Sequence, residues 1–464
     1  MSKSGNTKKI VGIVIAAILL IYAAVATPPA GLEIAGLRAL IIFLAAMVML
    51  ICETLPVSIT SFLAMVLLVF YNCGSFNDVM GGFSASMMLF MVGAFSTTAA
   101  LLTTSIPQRI GNFAVYLSKG KSKLMVLFFI LASGVVSSFM SNMATLAVFL
   151  GIVLQILKSH GDPKPGTSNL AKCLMIGIAA GSGVGGLGTP VGLTSNMVAM
   201  GFLTSVTGKE IGFLEWTGVA YPIAIICLVA IWAILILVFP PEDYEGEVKN
   251  ANKELGALTK KEKITAAILL LIIICWIAGN WIKPLMATSV AILGTALFML
   301  PGIEIFTWKE LNNAINWNMI TMTGALMAVV GVVQTTGASD WLIGVLLNSL
   351  SDVPMIVLLL GMGLIGAITH ALIPAGMPVL TLLALPFIGF ANAYGFNPAT
   401  GMMIAAFWAS AGLTLPYDAL PLMTYGYNYY SAKDFIKQGL IVTVVCILLV
   451  TLLAPTLCSV FMPV

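Results

Sequence analysis

The sequence predicts an all-α polytopic membrane protein: eleven transmembrane helices and two re-entrant hairpins, arranged as two inverted repeats. Three observations carry that expectation. Of the 464 residues, 60% are hydrophobic and only 8% are charged, where soluble domains carry about 25% charged residues. The apolar residues collect in runs close to the roughly 20 residues a helix needs to cross the hydrocarbon. When those runs are threaded in alternation, 18 of the 21 lysines and arginines fall on one side, all but Arg38, Lys209 and Lys283. Such bias marks the cytoplasmic face. The composition excludes a soluble enzyme, a disordered chain and a nucleic-acid binder. The expected surroundings are a lipid bilayer.

The first run, 10–26, follows the basic stretch MSKSGNTKK and lacks a small-residue cleavage site. It reads as a retained helix rather than a signal peptide. Runs at 34–52, 55–72 and 83–105 follow. The stretch 124–157 is long enough for two short helices, 168–207 is an interrupted span, and 217–240 closes the first half. The loop PPEDYEGEVKNANKELGALTKKEK is the one long charged segment. The second half then gives 262–280, 284–300, 315–336, a double-length stretch at 353–390, an interrupted span at 397–427 and a last span at 435–460. If 124–157 and 353–390 were full crossings, the central-loop lysines would lie outside. Both therefore read as hairpins that enter and leave on one side. The N-terminus is then cytoplasmic and the C-terminus outside, in the inner (plasma) membrane of a cell. The expected division is 1–33 for the N-terminal segment with its first helix, 34–240 for the first repeat, 241–261 for a cytoplasmic linker and 262–464 for the second repeat.

The two halves resemble each other. Gly93, Thr104-Ser105 and the amphipathic PQRIGNFAVYL precede the first hairpin; Gly324, Thr335-Thr336 and SDWLIGVLLNSL precede the second. LGTPVGLTSNM (187–197) aligns with LTLPYDALPLM (413–423), Pro190 on Pro416. Equivalent positions are separated by an odd number of crossings, so the repeats are inverted. Inverted repeats with broken helices are the signature of secondary transporters, whose sites lie where the helices break.

Polar backbone concentrates in four places: SSFMSNMAT (137–145), GSGVGGLGTPVGLTSN (181–196), HALIPAGMP (370–378) and LTLPYDALP (413–421). Unwound backbone is tolerated in a membrane only where protein or a water-filled cavity surrounds it. Freed carbonyls and Ser or Asn oxygens suit a hard cation such as sodium. Freed N–H groups at helix N-termini suit an anion, and no Lys or Arg lies deep in any span to do that work. Plainer readings stand beside these. The glycines at 181–188 serve close helix packing, Ser141-Asn142 makes an inter-helix contact, and Pro190, Pro374, Pro378 and Pro416 are kinks. The seven cysteines are scattered, with no CxxC pair or Cys/His cluster, so no structural metal or disulfide framework is expected.

Several of these residues resemble one family. ICETLPVSIT (51–60) is similar to the Glu-x-x-Pro-x-x-x-Thr stretch of the divalent anion/sodium symporter (DASS, INDY-like) family, within the wider ion transporter superfamily. GGFSASMMLFMVGAF followed by PQRIG resembles its glycine-rich fourth helix. MSNMATLAVF resembles its Ser-Asn-Thr hairpin signature, and GGLGTPVGLTSN its Gly-Thr-x-x-Gly-x-x-x-Asn break. The resemblance covers nearly the whole chain in the same order. It implies an elevator-type homodimer that carries di- and tricarboxylates or sulfate with sodium. A sodium site would use Ser137, Ser141, Asn142 and Gly192. Substrate would meet Ser141, Asn142, Thr189 and Leu193, with Met143 where the signature has a threonine. In the second half the signature falls on Gly376, Met377 and Pro378, with Ala419 completing the substrate set. Here the pattern departs from the family: Asp418 stands where a small residue is usual, and Leu420 replaces a proline.

Asp418 is the one carboxylate deep in a span, and His370 the one histidine outside a cytoplasmic loop. Intramembrane ionisable groups are costly and point to function. Three readings of Asp418 stand open: a proton carrier, a charged sodium ligand, or half of a fixed pair with His370 that replaces an ion. His370 also suits contact with the substrate anion. The plain alternatives are a helix cap for Asp418 and a neutral, hydrogen-bonded ring for His370. Glu53 reads as scaffold, and the tyrosines of TYGYNYY (424–430) as an interfacial belt. The function expected is a secondary active, cation-coupled transporter of small organic acid anions, with sodium or a proton as coupling ion and no organic cofactor. Its partners are the anion, the bilayer and a second copy of the chain. An anion exchanger or proton-coupled carrier of the same family, and a sodium/proton antiporter, are the alternatives. A membrane-embedded enzyme lacks a catalytic cluster.

Overall fold

A computed structural model describes residues 3–84, 86–244, 246, 251–338, 341, 344–345 and 353–464. Among them every regular element is helical. The first half holds α1 (Lys3–Val25), α2 (Ile34–Ile51), α3 (Val57–Phe70), α4 (Phe76–Met80), α5 (Ser86–Leu102), the amphipathic α6 (Ile106–Ser118), α7 (Ser122–Ser137), α8 (Asn142–Ser159), α9 (Asn169–Gly186), α10 (Thr194–Thr207) and α11 (Phe213–Val238). The second holds α12 (Lys260–Ala278), α13 (Ala287–Met299), α14 (Trp308–Ala314), α15 (Trp317–Thr335), α16 (Met355–Leu372), α17 (Gly376–Ala393), α18 (Pro398–Ser410), α19 (Ala419–Tyr425) and α20 (Ala432–Phe461). Nine helical stretches among the described residues are long and apolar enough to cross a membrane, and α3, α7 and α13 are shorter apolar helices. Most of the stretch SDWLIGVLLNSL (all but Trp341, Gly344 and Val345) and part of the central loop, including Lys249, lie outside the described residues.

In each half a helix–tip–helix unit (α7–α8, α16–α17) precedes a broken helix (α9–α10, α18–α19) and a long closing helix (α11, α20). The tips are tighter than the sequence predicts: only 138–141 and 373–375 leave helical conformation. The first break is also narrower. Residues 181–186 continue α9, because their small size serves packing: a Cβ on Gly185 would come within 2.2 Å of Gly134 Cα in α7. Hydrogen bonding then stays inside the helix until Leu187.

Buried apolar side chains form separate clusters. The largest joins α7–α11 with α16–α18 and α20, with a few residues of α2 and α15 at its edge. Another joins α5, α12, α13 and α14 with Val191 of the first break, Met197 of α10, Phe213 of α11 and Ile320 of α15, and a third joins α2, α3 and α15. Charged groups tie the helix ends. Arg38 donates to the carbonyls of Ala23 (3.3 Å) and Tyr71 (3.1 Å). It thereby meets the negative C-terminal ends of α1 and α3. Arg109, on α6, bonds Glu262 Oε1 at 2.9 Å, Glu262 Oε2 at 3.3 Å and the carbonyls of Leu255, Gly256 and Ala257. Its fork is thus filled by the start of α12 and the segment before it. Tyr430 departs from the belt reading. It is buried, and its hydroxyl bonds Pro421 O and Thr424 Oγ1, both at 2.9 Å.

Candidate functional site

The first tip and the first break meet through oxygens. Ser137 ends α7, and Asn142 opens α8 behind its N-cap Ser141, whose Oγ accepts from Ala144 N at 3.3 Å. Ser137 Oγ lies 2.6 Å from Asn142 Oδ1 and 2.6 Å from the carbonyl oxygen of Ser182 in α9. A hydroxyl carries one proton, so it donates to one of these oxygens and leaves the other facing its lone pairs. Gly192 lets the backbone close in. A Cβ there would come within 2.3 Å of Gly186 O and 2.9 Å of Ser137 O. Ser182 Oγ, Thr145 Oγ1 and Asn196 Oδ1 are further buried oxygens of these helices without a hydrogen-bond partner. The Ser137, Asn142 and Ser182 oxygens, brought together with one hydroxyl proton between them, fit a small hard cation.

The break itself is braced. Asn196 Nδ2 donates to Gly186 O and Thr189 O, both at 2.8 Å, and Trp216 Nε1 to Leu187 O at 2.9 Å. The Thr189 hydroxyl donates to Ser138 O. Thr189 therefore fastens the break to the first tip. Buried carbonyls freed by unwinding are costly unless paired, and Asn196 and Trp216 answer that need. The break motif contains Asn196 but assigns it no role; the bracing by Trp216 had no sequence signal.

Each of the four polar stretches that the sequence singled out leads into a helix: Asn142 starts α8, Thr194 behind Leu193 starts α10, Gly376 starts α17 and Ala419 starts α19. The caps differ. Leu193 and Ala375 give no side-chain cap to α10 and α17, and α10 packs against α17. Helix starts without caps leave N–H groups for an anion. Met143 is exposed, Met377 buried and Pro378 half-buried. Gly376 abuts α18, since a Cβ there would meet Ala409 O at 2.1 Å. Ala419 N–H is already taken: Asp418 Oδ1 accepts it at 2.7 Å.

In the second break Asp418 caps α19 and also faces His370. His370 is 4% exposed. Its Nδ1 bonds the Trp408 carbonyl, and its Nε2 lies 3.8 Å from Asp418 Oδ2. Gly412 lies against both: a Cβ would come within 2.9 Å of Asp418 Oδ2 and 3.0 Å of His370 Nε2. The sequence paired His370 with Asp418 as one option but gave no role to Trp408 or Gly412. The last turns of α9 and α18 are in contact just before the two breaks, because a Cβ on Gly183 would meet Ser410 O at 3.1 Å. Gly183 follows Ser182 directly, so one turn of α9 touches both sites.

The family described as "Sodium:sulfate symporter transmembrane region" matches residues 6–462. The chain is 25% identical, over 97% of its length, to the sodium-dependent dicarboxylate transporter SdcS of Staphylococcus saprophyticus, of which it covers 92%. Its fold is similar to that of the Alcanivorax borkumensis YdaH transporter, with TM-score 0.57, 14% identity, and 98% of this chain and 99% of that one covered. It is also similar to Neisseria gonorrhoeae MtrF, with TM-score 0.58, 14% identity and coverage of 96% and 94%.

Proposed function

The chain belongs to the sodium:sulfate symporter family of membrane transporters, and from that premise we propose that it carries small organic acid anions of the di- and tricarboxylate class in symport with sodium. The observation that carries this reading is the pair of contacts of Ser137 Oγ with Asn142 Oδ1 and Ser182 O, each 2.6 Å away. A sodium ion there draws on side-chain and carbonyl oxygens of the first tip and first break, with Ser141 and Gly192 at its rim. The name of the staphylococcal relative supports both the cation and the cargo.

The anion sits beside that ion. Its carboxylate meets Ser141, Asn142 and Met143 at the start of α8 and the uncapped start of α10, with Thr189 and Leu193 behind. Gly376, Met377 and Pro378 at the uncapped start of α17 hold its other end, and Ala419 borders it. No lysine or arginine is needed, because helix starts supply N–H donors and sodium supplies charge. The division of the buried core supports an elevator motion. Most of the buried core of the tips, broken helices and closing helices lies in one cluster, which in this reading slides against the frame of α2, α3, α5, α12, α13 and α15; Val191, Met197 and Phe213 on one side and Leu101, Met322 and Leu326 on the other lie at the sliding surface. The recurring element order supports inverted halves, and the lysines support a cytoplasmic N-terminus and an outer C-terminus. The working unit in this reading is a homodimer.

A thermal-shift screen of succinate, citrate and sulfate, with and without sodium, tests this reading. A ligand at 100 times its Kd stabilises the folded state by about 2.7 kcal/mol. An acid that raises Tm only in the presence of sodium supports the reading; no acid doing so, at any sodium concentration, refutes it.

A further inference from the structure

We propose that the second half binds one proton at the His370–Asp418 pair, where the first half binds sodium, and that this proton travels with the substrate. The travelling part rests on the carrier reading above; the proton site itself does not.

The geometry assigns each atom a task. A carbonyl only accepts, so the contact of His370 Nδ1 with Trp408 O puts the hydrogen on Nδ1. Nε2 is then the one ring atom left to take a proton. It is buried without a hydrogen-bond partner and lies 3.8 Å from Asp418 Oδ2. The other carboxylate oxygen, Oδ1, is engaged by Ala419 N–H, which keeps Oδ2 turned toward the ring. Gly412 keeps the approach open, since any side chain there would crowd both Oδ2 and Nε2. The crevice between them holds about 10 Å³, near the lower limit for a single water.

The charge balance gives the pair its meaning. Around it, α9, α11, α16, α18, α19, α20 and the 411–418 segment line two crevices that reach Asp418. Their lining holds one further titratable group, Tyr417, the neutral Gln438 and Thr414, and no lysine or arginine. Without a proton, a ring nitrogen lone pair faces a carboxylate and the site carries a net −1. With one proton on Nε2, imidazolium faces carboxylate and the net charge is zero. Burying an uncompensated charge is far more costly than burying a hydrogen-bonded pair. Only the proton-loaded site is therefore fit to cross the membrane interior. Sodium is a poorer occupant, because it prefers an all-oxygen shell and this crevice points a nitrogen at the carboxylate. The proton comes from water on the side where substrate loads, resides on Nε2, and returns to water on the other side.

The chain contains two histidines, so ring-¹⁵N-histidine NMR of the purified protein, assigned with His160→Gln, reads His370 without any substrate. The expected result is a His370 Nε2 that gains its proton on acidification while Nδ1 keeps its hydrogen, with that protonation moved by Asp418→Asn. A ring that holds one state throughout, or a titration indifferent to Asp418→Asn, overturns the proposal. The second arm measures labelled succinate accumulation in proteoliposomes with sodium equal on both sides. One coupled proton raises the accumulation ratio about tenfold per unit of inward pH gradient, and His370→Gln abolishes that response. If a sodium gradient drives uptake but a pH gradient adds nothing in the wild type, proton coupling is refuted and the carrier reading stands. If neither gradient drives uptake of succinate, citrate or sulfate, the carrier reading falls, and the ring titration alone decides the proton site. Should His370→Gln fail to fold, the wild-type gradient measurement and the Asp418→Asn titration still decide the matter.

Discussion

Ser137 Oγ lies 2.6 Å from Asn142 Oδ1, across the tip that joins α7 to α8. The same hydroxyl reaches the carbonyl of Ser182 in α9, and the next residue, Gly183, rests on Ser410, just before the second break. The first tip and the edge of the second break are thus two contacts apart.

Gly192→Ala is expected to damage the first site through sterics alone. The new Cβ would press on Gly186 O at 2.3 Å and Ser137 O at 2.9 Å, and both are backbone atoms that move only with their helices. Overpacking of this kind costs about 1–3 kcal/mol. In thermal unfolding the variant should melt lower and lose any stabilisation by sodium. A variant with wild-type Tm and sodium response would contradict the close packing.

Glycine positions in the helices should separate by what surrounds them. A Cβ added at Gly361 in α16 would have nothing within 4 Å, whereas one on Gly185 would meet Gly134 Cα at 2.2 Å. Gly361→Ala should be neutral or stabilise by up to about 1 kcal/mol, the propensity gain of Ala over Gly. Gly185→Ala should destabilise by about 1–3 kcal/mol. Equal melting temperatures for the two variants would contradict the α7–α9 contact.

The Arg109–Glu262 clamp joins parts of the chain 153 residues apart. Its side chains are 14% and 3% exposed. A hydrogen bond to a charged group contributes about 1.5–3 kcal/mol, and Arg109 keeps its three carbonyl partners when Glu262 is removed. Glu262→Ala should thus lower stability by about 1–3 kcal/mol, and protease should cut the 251–259 segment sooner. Unchanged proteolysis and Tm would show the clamp to be inert.

Glu242, outside the spans, gives a pH signature. Burial pushes its carboxyl up, but the Ser168 hydroxyl and the backbone N–H groups of Leu170 and Asn169 outweigh that and hold it below its ordinary 4.5. A depressed carboxyl stabilises the fold above its unfolded value, and that contribution fades as pH falls through the lower folded value. His160 Nε2, 3.7 Å away, is the neighbouring titratable group. The stability difference between wild type and Glu242→Gln should shrink as pH falls below about 4.5. A difference that grows below about pH 4.5 would reverse the sign of this account.

Much of the fold was legible in the sequence because membrane helices announce themselves by apolar length. Pro190 and Pro416 fall in breaks, and the SSFMSNMAT and HALIPAGMP stretches contain the two tips. What was hidden involves partners remote in sequence. Glycines at 181–186 give the same signal whether they unwind a helix or let it pack closely, and only the neighbouring Gly134 decides for packing. Trp408 orients His370 from 38 residues away with a carbonyl that every residue type has. Gly412, adjacent to an ordinary leucine, showed no sign of the space it keeps. Tyr430 turned inward because Pro421 O, freed near the second break, accepts its hydroxyl.

The most direct test of the central claim is sodium-gradient-driven uptake of labelled succinate, citrate and sulfate into proteoliposomes by wild type and Asn142→Ala. Sodium at the Ser137–Asn142 oxygens predicts uptake of at least one of these anions by the wild type only when sodium is supplied, and loss of that uptake in Asn142→Ala with the protein still folded. Wild-type uptake rates and sodium dependence in Asn142→Ala would contradict the account.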